Sequence, residues 1–281
     1  MAKKFRTPAR PRLGQHFLTD RRVRDQVVSS LGLQPSDTVV EIGAGRGFLT
    51  EALAPHVKRL WAIEMDPQWA VTLKAAFLDS KRVEVIAQDV LKVDFHHFVG
   101  AGEASPGLRV VGNLPYYISS PILFHLFEYA DLIRDATLMV QRELAVRITA
   151  TPTSKDYGYA SLVTQLFSQA GLLFQVSPSS FSPPPRVHSS MIRLVMSPRA
   201  HSLAIDDTAL FLKFAQQIFL EKRKTLLNNL KRFIVRNSPD TAAQLQEILR
   251  ECSLDLKVRA ENVPIESTAL LYRTLRHRGL L

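Results

Sequence analysis

The stretch TVVEIGAGRGFLT, residues 38–50, decides the fold because a short apolar run leads directly into three closely spaced glycines. β-Branched residues before such a turn predict a buried strand, and the residues after it have helical spacing. Gly43, Gly45 and Gly47 allow the backbone to approach a ligand at the start of that helix. Phe48 occupies the third glycine position of the dinucleotide fingerprint, so the stretch predicts a ligand other than NAD.

The alternation of strand and helix continues beyond this stretch. Strands are predicted over residues 38–42, 60–63, 83–87, 109–112, 137–141, 172–176 and 191–195. This alternation indicates an α/β fold, a Rossmann-like and mostly parallel sheet of seven strands with helices on both faces. A helix is predicted between Asp20 as its N-cap and Gly32 at its end. The segment SPSSFSPPPRVHSS, residues 177–190, is too rich in proline for regular structure.

After Pro198 the pattern becomes entirely helical. Helices are predicted over residues 208–220, 225–233, 241–252 and 267–276. We therefore predict three parts: a basic arm over 1–24, a sheet domain over 25–199 and a small helical domain over 200–281.

The net charge of +10 is unevenly distributed along the chain. Residues 1–24 hold eight Lys or Arg and one Asp, residues 25–199 have a net charge of −1, and residues 200–281 have a net charge of +4. A near-neutral body with a basic arm and a basic end predicts a polyanionic partner, most often a nucleic acid. The alternative for the arm is a solvated tail that aids solubility.

Cys252 is the one cysteine, so an internal disulfide is excluded. No apolar run reaches the length of about 18 residues that a membrane-spanning helix needs. We expect a cytoplasmic monomer with no membrane partner, no bound DNA and no metal.

Three more strand ends carry a hydrogen-bonding side chain: Glu64 in AIEMD, Asp89 in IAQDV and Asn113 in VVGNLPYY. Glu64 can accept both hydroxyls of a ribose, and Asp89 can accept a bond from an adenine amino group. Ligands of open parallel sheets bind at the carboxyl ends of the strands, where the glycines also lie. The set resembles the S-adenosylmethionine-dependent methyltransferases.

The sequence Asn113-Leu114-Pro115-Tyr116 resembles the N-P-P-Y-type motif of methyltransferases that act on exocyclic amino groups. The lone pair of adenine N6 is delocalised into the ring, so the site must position the nitrogen. The Asn113 oxygen and a carbonyl near Leu114 can accept its N–H bonds, and Tyr116 offers a stacking face, without a strong general base. Phe181 is the candidate for the second face of a base taken out of its stack, or else a hydrophobic anchor.

The chain closely resembles one family in seven segments, which are GQHFL (14–18), EIGAGRGFLT, AIEMD, AQD, GNLPYYIS, FSPPPRVHS and KRKTLLNNL. The family is that of the bacterial small-subunit ribosomal RNA adenine N6,N6-dimethyltransferases, and the resemblance runs from Arg12 to the C-terminal helices. It implies a class I methyltransferase fold and S-adenosylmethionine as cofactor. It also implies dimethylation of two adjacent adenines in a hairpin loop near the 3′ end of small-subunit rRNA, within a pre-30S particle, and a late role in subunit assembly.

By position, the resemblance implies that residues 14–18 fold over the cofactor. The implied cofactor contacts are His16, Leu18, Gly43, Gly45, Glu64, Asp89 and Asn113. The implied base site consists of Asn113, Leu114, Pro115, Tyr116 and Phe181. Two positions depart from the form that is common in the family, because His16 and Tyr117 stand where asparagine is frequent. Tyr117 could enlarge the aromatic wall or pack against the protein, and we favour packing.

The segment EKRKTLLNNLKRF has basic residues at its two ends, while Leu226, Leu227 and Leu230 should be buried. The candidate RNA contacts are Lys222, Arg223, Lys224, Lys231 and Arg232. Folded RNA is recognised largely through its shape and its phosphates, which suits this arrangement. The alternative is a solvated helix face.

Two other functions remain open at this point. A large-subunit rRNA adenine methyltransferase of the macrolide-resistance type shares the glycine loop and the Asn-Leu-Pro-Tyr motif, although KRKTLLNNL and FSPPPRVHSS favour the small-subunit enzyme. A non-catalytic assembly or transcription factor would keep the fold without turnover. Such a protein has no need of Glu64, Asp89 and Asn113 together.

Overall fold

The computed structural model describes residues 16–99, 107–234 and 239–281. Most of the predicted basic arm, residues 1–15, lies outside the described residues. Across the described ranges, every helix is too short or too polar to cross a lipid bilayer.

The strands and helices follow the predicted alternation. The strands are β1 (Phe17–Leu18), β2 (Thr38–Ile42), β3 (Arg59–Glu64), β4 (Val83–Ala87), β5 (Leu108–Asn113), β6 (Ile133–Gln141), β7 (Ser168–Val176), β8 (Phe181–Ser182) and β9 (Ser189–Met196). The α-helices are α1 (Arg21–Leu31), α2 (Phe48–Leu53), α3 (Pro67–Ala76), α4 (Ser119–Glu128), α5 (Arg142–Ile148), α6 (Tyr159–Phe167), α7 (Thr208–Ile218), α8 (Leu226–Phe233), α9 (Pro239–Glu251) and α10 (Ile265–His277).

Seven of the strands form one sheet in the order β4-β3-β2-β5-β6-β9-β7. The pairs β4–β3, β3–β2, β2–β5 and β5–β6 are all parallel. The fold class is therefore confirmed as α/β with a mostly parallel, seven-stranded sheet. The strand order reverses direction between β2 and β5, and in sheets of this kind ligands bind at the carboxyl ends of the strands near such a point.

Helix α1 shows why its predicted ends are correct. The Asp20 carboxylate accepts a 2.9 Å hydrogen bond from the Arg22 main-chain N–H, which satisfies a donor that the helix itself leaves free. Gly32 ends the helix in the left-handed conformation, with φ of 57°. Val27 and Leu31 bury one face of the helix.

A buried ion network fixes the opposite end of the sheet. In β5, Arg109 Nη1 donates to Asp37 at 2.9 Å, and Nε and Nη2 each donate to Asp135 in β6 at 3.1 Å. Nη2 also donates to the Leu31 carbonyl at the end of α1. Burial opposes ionisation of Asp37, but hydrogen bonds from Gln34 and Arg109 outweigh it and hold the pKa of Asp37 below its ordinary value. The network therefore joins α1 to two strands.

The segment 177–190 contains more regular structure than we predicted. Phe181–Ser182 forms β8, which pairs antiparallel with β1 so that Phe17 lies opposite Ser182 and Leu18 opposite Phe181. Pro178–Ser180 forms one turn of 3-10 helix. The prediction of no regular structure is wrong here because a two-residue ladder is too short to leave a periodic pattern.

The chain divides into two compact units, one of Met1–Arg142 and Leu173–Ile192 and the other of Glu143–Leu172 and Arg193–Leu281. This division differs from the predicted boundary between residues 199 and 200. Residues 143–172 join the helical unit because Tyr157 and Leu162 are buried in the same core as residues of the C-terminal helices. The fully buried members of that core include Phe211, Phe214, Leu230, Leu245 and Tyr272.

Candidate active site

The glycine loop after β2 needs its glycines. Gly43, Gly45 and Gly47 have φ of 72°, 55° and 80°, in the left-handed region that side chains disfavour. A Cβ at position 45 would lie 3.0 Å from the Phe17 ring. Any residue other than glycine at this position would therefore crowd Phe17. The Gly43 N–H donates to the carbonyl of Ile63 at 2.9 Å, which fastens the loop to β3.

Glu64, at the end of β3, holds the loop from the other side. One carboxylate oxygen accepts a 2.7 Å bond from the Gly45 N–H and the other accepts a 2.8 Å bond from the Asp66 N–H. Burial raises the pKa of Glu64, although these two hydrogen bonds oppose the shift. An ionised carboxylate offers about four acceptor positions, so Glu64 can accept further bonds from a ligand.

One cavity at the carboxyl ends of β2, β3, β4 and β5 gathers most of the predicted site residues. Its lining includes His16, Gly43, Gly45, Glu64, Asp89, Asn113, Leu114, Pro115 and Tyr116. Asp89 is fixed there because its carboxylate accepts a 3.1 Å bond from the Leu91 N–H. The structure therefore brings together the glycine loop, both strand-end acids and the Asn-Leu-Pro-Tyr motif.

The side chain of Asn113 is oriented by the main chain of His16. Its Nδ2 donates a 2.9 Å hydrogen bond to the main-chain carbonyl of His16. A carbonyl can only accept, so the amide nitrogen must face His16, and Oδ1 is the amide atom left for a ligand in the cavity.

Tyr116 and His16 form a pair at the cavity. Their ring centroids are 5.5 Å apart with an interplanar angle of 31°. The Tyr116 hydroxyl lies 2.6 Å from the Ser189 hydroxyl, and His16 Nδ1 donates to the Pro183 carbonyl at 2.8 Å. Segment 183–189 is thus connected to both rings.

Two predicted site residues are absent from the lining of this cavity, although Leu18 lines a second cavity beside the glycine loop. Leu18 and Phe181 face each other in the β1–β8 ladder and lie in the hydrophobic core, where they are 8% and 3% exposed. Phe17 lines the cavity instead. The Arg46 guanidinium lies 4.6 Å from the centre of the Phe17 ring and 4.9 Å from the centre of the Trp69 ring.

Arg46 and Trp69 could not be recognised from the sequence, because no pattern pairs an exposed arginine with an aromatic residue more than twenty positions away. Tyr117 also differs from its predicted role. The interpretation of Tyr117 as a packing residue is wrong, since its side chain is 54% exposed while it lines the cavity.

Glu41 is a further residue that the sequence analysis missed. It lies in β2, is buried, and lines a second cavity beside the glycine loop together with Asn113. Within the described part of the chain its Oε2 has no hydrogen-bond partner. Burial raises the pKa of Glu41 to about 7, and the charge of Glu64 acts in the same direction. The available signal was a charged residue inside the apolar run TVVEI.

In the helical unit, Leu226, Leu227 and Leu230 are buried as predicted. The exposed residues Lys222, Arg223 and Lys224 occupy the turn before α8 rather than the helix itself.

The other two candidate RNA contacts, Lys231 and Arg232, lie in the last turn of α8. Arg232 is ion-paired with Glu221, so its charge is partly neutralised within the protein.

The sequence matches the family described as Ribosomal RNA adenine dimethylase over residues 6–276. The Ribosomal RNA small subunit methyltransferase A of Acidobacterium capsulatum is 41% identical over 270 residues, which cover 96% of this chain and 92% of that protein. The protein of the same name from Koribacter versatilis is 41% identical over 286 residues, which cover 98% of both.

Two solved structures share the fold over nearly the whole chain. A dimethyladenosine transferase from Plasmodium falciparum has a TM-score of 0.76 and 25% identity, and the match covers 94% of this chain and 98% of that one. The 23S rRNA methyltransferase ErmE has a TM-score of 0.66 and 24% identity over 92% and 99% of the two chains, which is a likeness of fold. The resemblance in the seven segments is confirmed, with the sheet of a class I methyltransferase. This chain belongs to the ribosomal RNA adenine dimethylase family, whose members are S-adenosylmethionine-dependent methyltransferases.

Proposed function

We propose that this protein transfers methyl groups from S-adenosylmethionine to N6 of two adjacent adenines in a hairpin loop near the 3′ end of small-subunit rRNA. The substrate is a pre-30S particle in the cytoplasm, the product is N6,N6-dimethyladenine, and the reaction falls late in subunit assembly. One observation carries the proposal: Asn113 and Tyr116 line the same cavity as Glu64 and Asp89. Relatives named small subunit methyltransferases support the choice of RNA.

The residues of the cavity fit the cofactor. Glu64 is positioned to take the ribose hydroxyls and Asp89 the adenine amino group. Gly43 keeps the space beside Asn113 free, since a Cβ there would lie 3.4 Å from the Asn113 carbonyl oxygen. The unpartnered oxygen of Glu41 offers an acceptor for a positively charged group in the second cavity. When bound, S-adenosylmethionine supplies a methyl group on a cationic sulfur.

The Asn-Leu-Pro-Tyr motif positions the amino group of the target base. Asn113 Oδ1 accepts one N–H bond, because the bond to His16 has already turned Nδ2 away. The Leu114 carbonyl accepts the other, and Tyr116 stacks on the ring. Two acceptors hold the nitrogen so that its lone pair faces the methyl group, and this positioning requires no strong base.

The role of Phe181 as the second stacking face stays a prediction. In this structure its side chain lies in the hydrophobic core, which supports the alternative of a hydrophobic anchor. After one methylation the nitrogen keeps a single N–H, and the site must accept a methyl group in place of a proton. The apolar side chains of Leu114 and Pro115 suit that second transfer.

The helical unit is proposed to bind RNA phosphates through Lys222, Arg223 and Lys224, with Lys231 close by on α8. All three residues of the turn are exposed. We propose that the protein acts as a monomer.

The test is methyl transfer to small subunits from cells that lack the modification. The protein is incubated with methyl-labelled S-adenosylmethionine and each ribosomal subunit, and the RNA is digested for mass spectrometry. We expect N6,N6-dimethyladenosine at two adjacent positions of small-subunit RNA, and none with Asn113→Ala. Label confined to large-subunit RNA supports the macrolide-resistance type of enzyme, and an absence of label in every RNA supports a non-catalytic assembly factor.

A further inference from the structure

Several exposed groups that lie in or next to segments bonded to the active-site cavity have no role in methyl transfer. Tyr117 is 54% exposed, and Val187 in segment 183–189 is 45% exposed. Arg142 and Arg186 are also exposed. In the ranges that the structure describes, neither arginine forms an ion pair with a carboxylate. This part of the surface combines an aromatic ring, an apolar side chain and two available positive charges.

Main-chain and side-chain contacts connect these groups to residues that line the cavity. Tyr117 follows Tyr116, whose hydroxyl is bonded to Ser189. The preceding residue, His188, accepts a 3.0 Å bond from the Arg142 N–H through its carbonyl. Arg142 directly follows β6, the strand beside β5, which ends at Asn113.

The other end of segment 183–189 is also fixed at the cavity, because the Pro183 carbonyl accepts the bond from His16. Arg186 and Val187 lie between the two anchored ends and extend toward solvent. We infer that the segment holds Arg186 close to the cavity, on the same side as Tyr117 and Arg142.

A target base held in the cavity remains attached to its neighbours. Its flanking phosphates and the adjacent base must pass the mouth, since the chain is continuous there. Proteins bind single-stranded nucleic acid by stacking bases on aromatic rings and by contacting phosphates with basic side chains. Tyr117, Arg142 and Arg186 supply these groups, and a ring that stacks on a base need not be buried in the free protein.

We propose that Tyr117 stacks on the nucleotide next to the target adenine, and that Arg142 and Arg186 bind the phosphates on either side of the target. This inference rests on the proposed function, and it assigns a binding surface for the second adenine. Tyr117 then contributes to RNA recognition and not to the chemistry at N6.

Stacking is tested with RNA hairpins in which 2-aminopurine replaces the base on the 5′ or the 3′ side of the target adenine. Bound to the wild-type protein, one of the two probes should lose fluorescence through stacking. Tyr117→Ala should abolish that change and raise the KM for RNA at least about fivefold, while Tyr117→Phe keeps both. The KM for RNA should rise by a larger factor than kcat falls, because the proposed contact of Tyr117 is to the neighbouring base and not to the amino group.

Phosphate contact is tested by the salt dependence of hairpin binding. Arg142→Gln and Arg186→Gln should each reduce the slope of log affinity against log salt by about 0.7. Lys81→Gln is the matched control. Lys81 is exposed and precedes the amino end of β4, whereas the cavity lies at the carboxyl ends of the strands. Its slope should equal that of wild type.

The inference is overturned if wild type methylates the RNA and Tyr117→Ala binds it with unchanged fluorescence and KM. It is also overturned if the slope of log affinity against log salt is the same for Arg142→Gln and Arg186→Gln as for the control Lys81→Gln. A wild-type protein that methylates no RNA overturns the proposed function instead, so the two failures are distinguishable.

Discussion

The amide nitrogen of Asn113 donates a 2.9 Å hydrogen bond to the main-chain carbonyl of His16, a residue 97 positions earlier in the chain. The main chain at His16 thus determines which amide atom of Asn113 faces the cavity. The orientation follows from hydrogen-bond chemistry alone, since the His16 carbonyl cannot donate.

We expect Asn113→Asp to lower kcat at least about 100-fold, because a carboxylate cannot donate to the His16 carbonyl and the side chain loses its fixed orientation. Steady-state kinetics with under-methylated small subunits gives the rate, and thermal unfolding checks the fold. A variant that unfolds like wild type and keeps more than about a tenth of its kcat contradicts the role given to this bond.

Glu64→Ala should weaken S-adenosylmethionine binding at least about tenfold, since hydrogen bonds to a charged group are each worth about 1.5–3 kcal/mol. Calorimetry on the folded variant measures the affinity. Burial raises the pKa of Glu64, so its carboxylate becomes protonated at a higher pH than that of an ordinary glutamate. The affinity of the wild-type protein for S-adenosylmethionine should therefore begin to fall at that higher pH when the solution is acidified. An affinity equal to wild type in the alanine variant would remove Glu64 from the cofactor site.

Glu41→Gln should change how stability depends on pH. The carboxyl has its ordinary pKa of 4.5 when unfolded and a pKa of about 7 when folded, so the folded state binds the proton more tightly. The free energy of unfolding of wild type should therefore fall as the pH rises from 4.5 to 7, by roughly 3 kcal/mol from this group. Glutamine cannot ionise, so urea unfolding across this range should show a shallower decline. Parallel curves for the two proteins contradict the assignment.

Arg109→Met should destabilise the protein by about 3–5 kcal/mol, because Asp37 and Asp135 then lose their buried cation and keep the longer ion pairs to the partly exposed Arg134. In wild type, the lowered pKa of Asp37 stabilises the folded state. This stabilisation is complete when the pH is above the ordinary pKa of aspartate, and it is lost as the pH falls through the lowered pKa of the folded state. Urea unfolding measures the loss, and adding Asp37→Asn and Asp135→Asn should restore part of it. A loss below about 1 kcal/mol contradicts the role of the network.

Replacing Lys222, Arg223 and Lys224 together by Gln should reduce the slope of log affinity against log salt for small-subunit binding by about 2. Arg232→Gln is the matched control in the same unit, because its ion pair with Glu221 already offsets that charge. We expect its slope to change by less than about 0.7. Equal slopes for the triple variant and wild type leave these lysines and arginines with a solubilising role.

Local patterns predicted the sheet and most of the cavity correctly. Thr38–Ile42 and Val83–Ala87 form strands at the predicted bounds, because each is an apolar run that ends at a glycine or a polar residue. Glu64 and Asn113 reach one cavity because parallel strands end at the same edge. Such features depend on neighbouring residues and on a general rule of topology.

Contacts between distant parts of the chain could not be predicted in this way. The β1–β8 ladder, the burial of Phe181 and the joining of Tyr157 to the helical core each depend on segments that are far apart in the sequence. Burial of Glu41 also depends on its surroundings, since the same residue in an exposed strand would be solvated.

The β1–β8 ladder limits insertions and deletions in the segment before α1. Thr19 donates a 2.9 Å main-chain bond to the Ser180 carbonyl, and Asp20 then caps α1, so residues 17–20 are fixed at both ends. One added residue between Leu18 and Asp20 would shift the ladder by one position and exchange the two faces of the strand. Leu18 would then face the cavity and Phe17 the core. Homologous proteins can therefore vary the side chains of this segment more readily than its length.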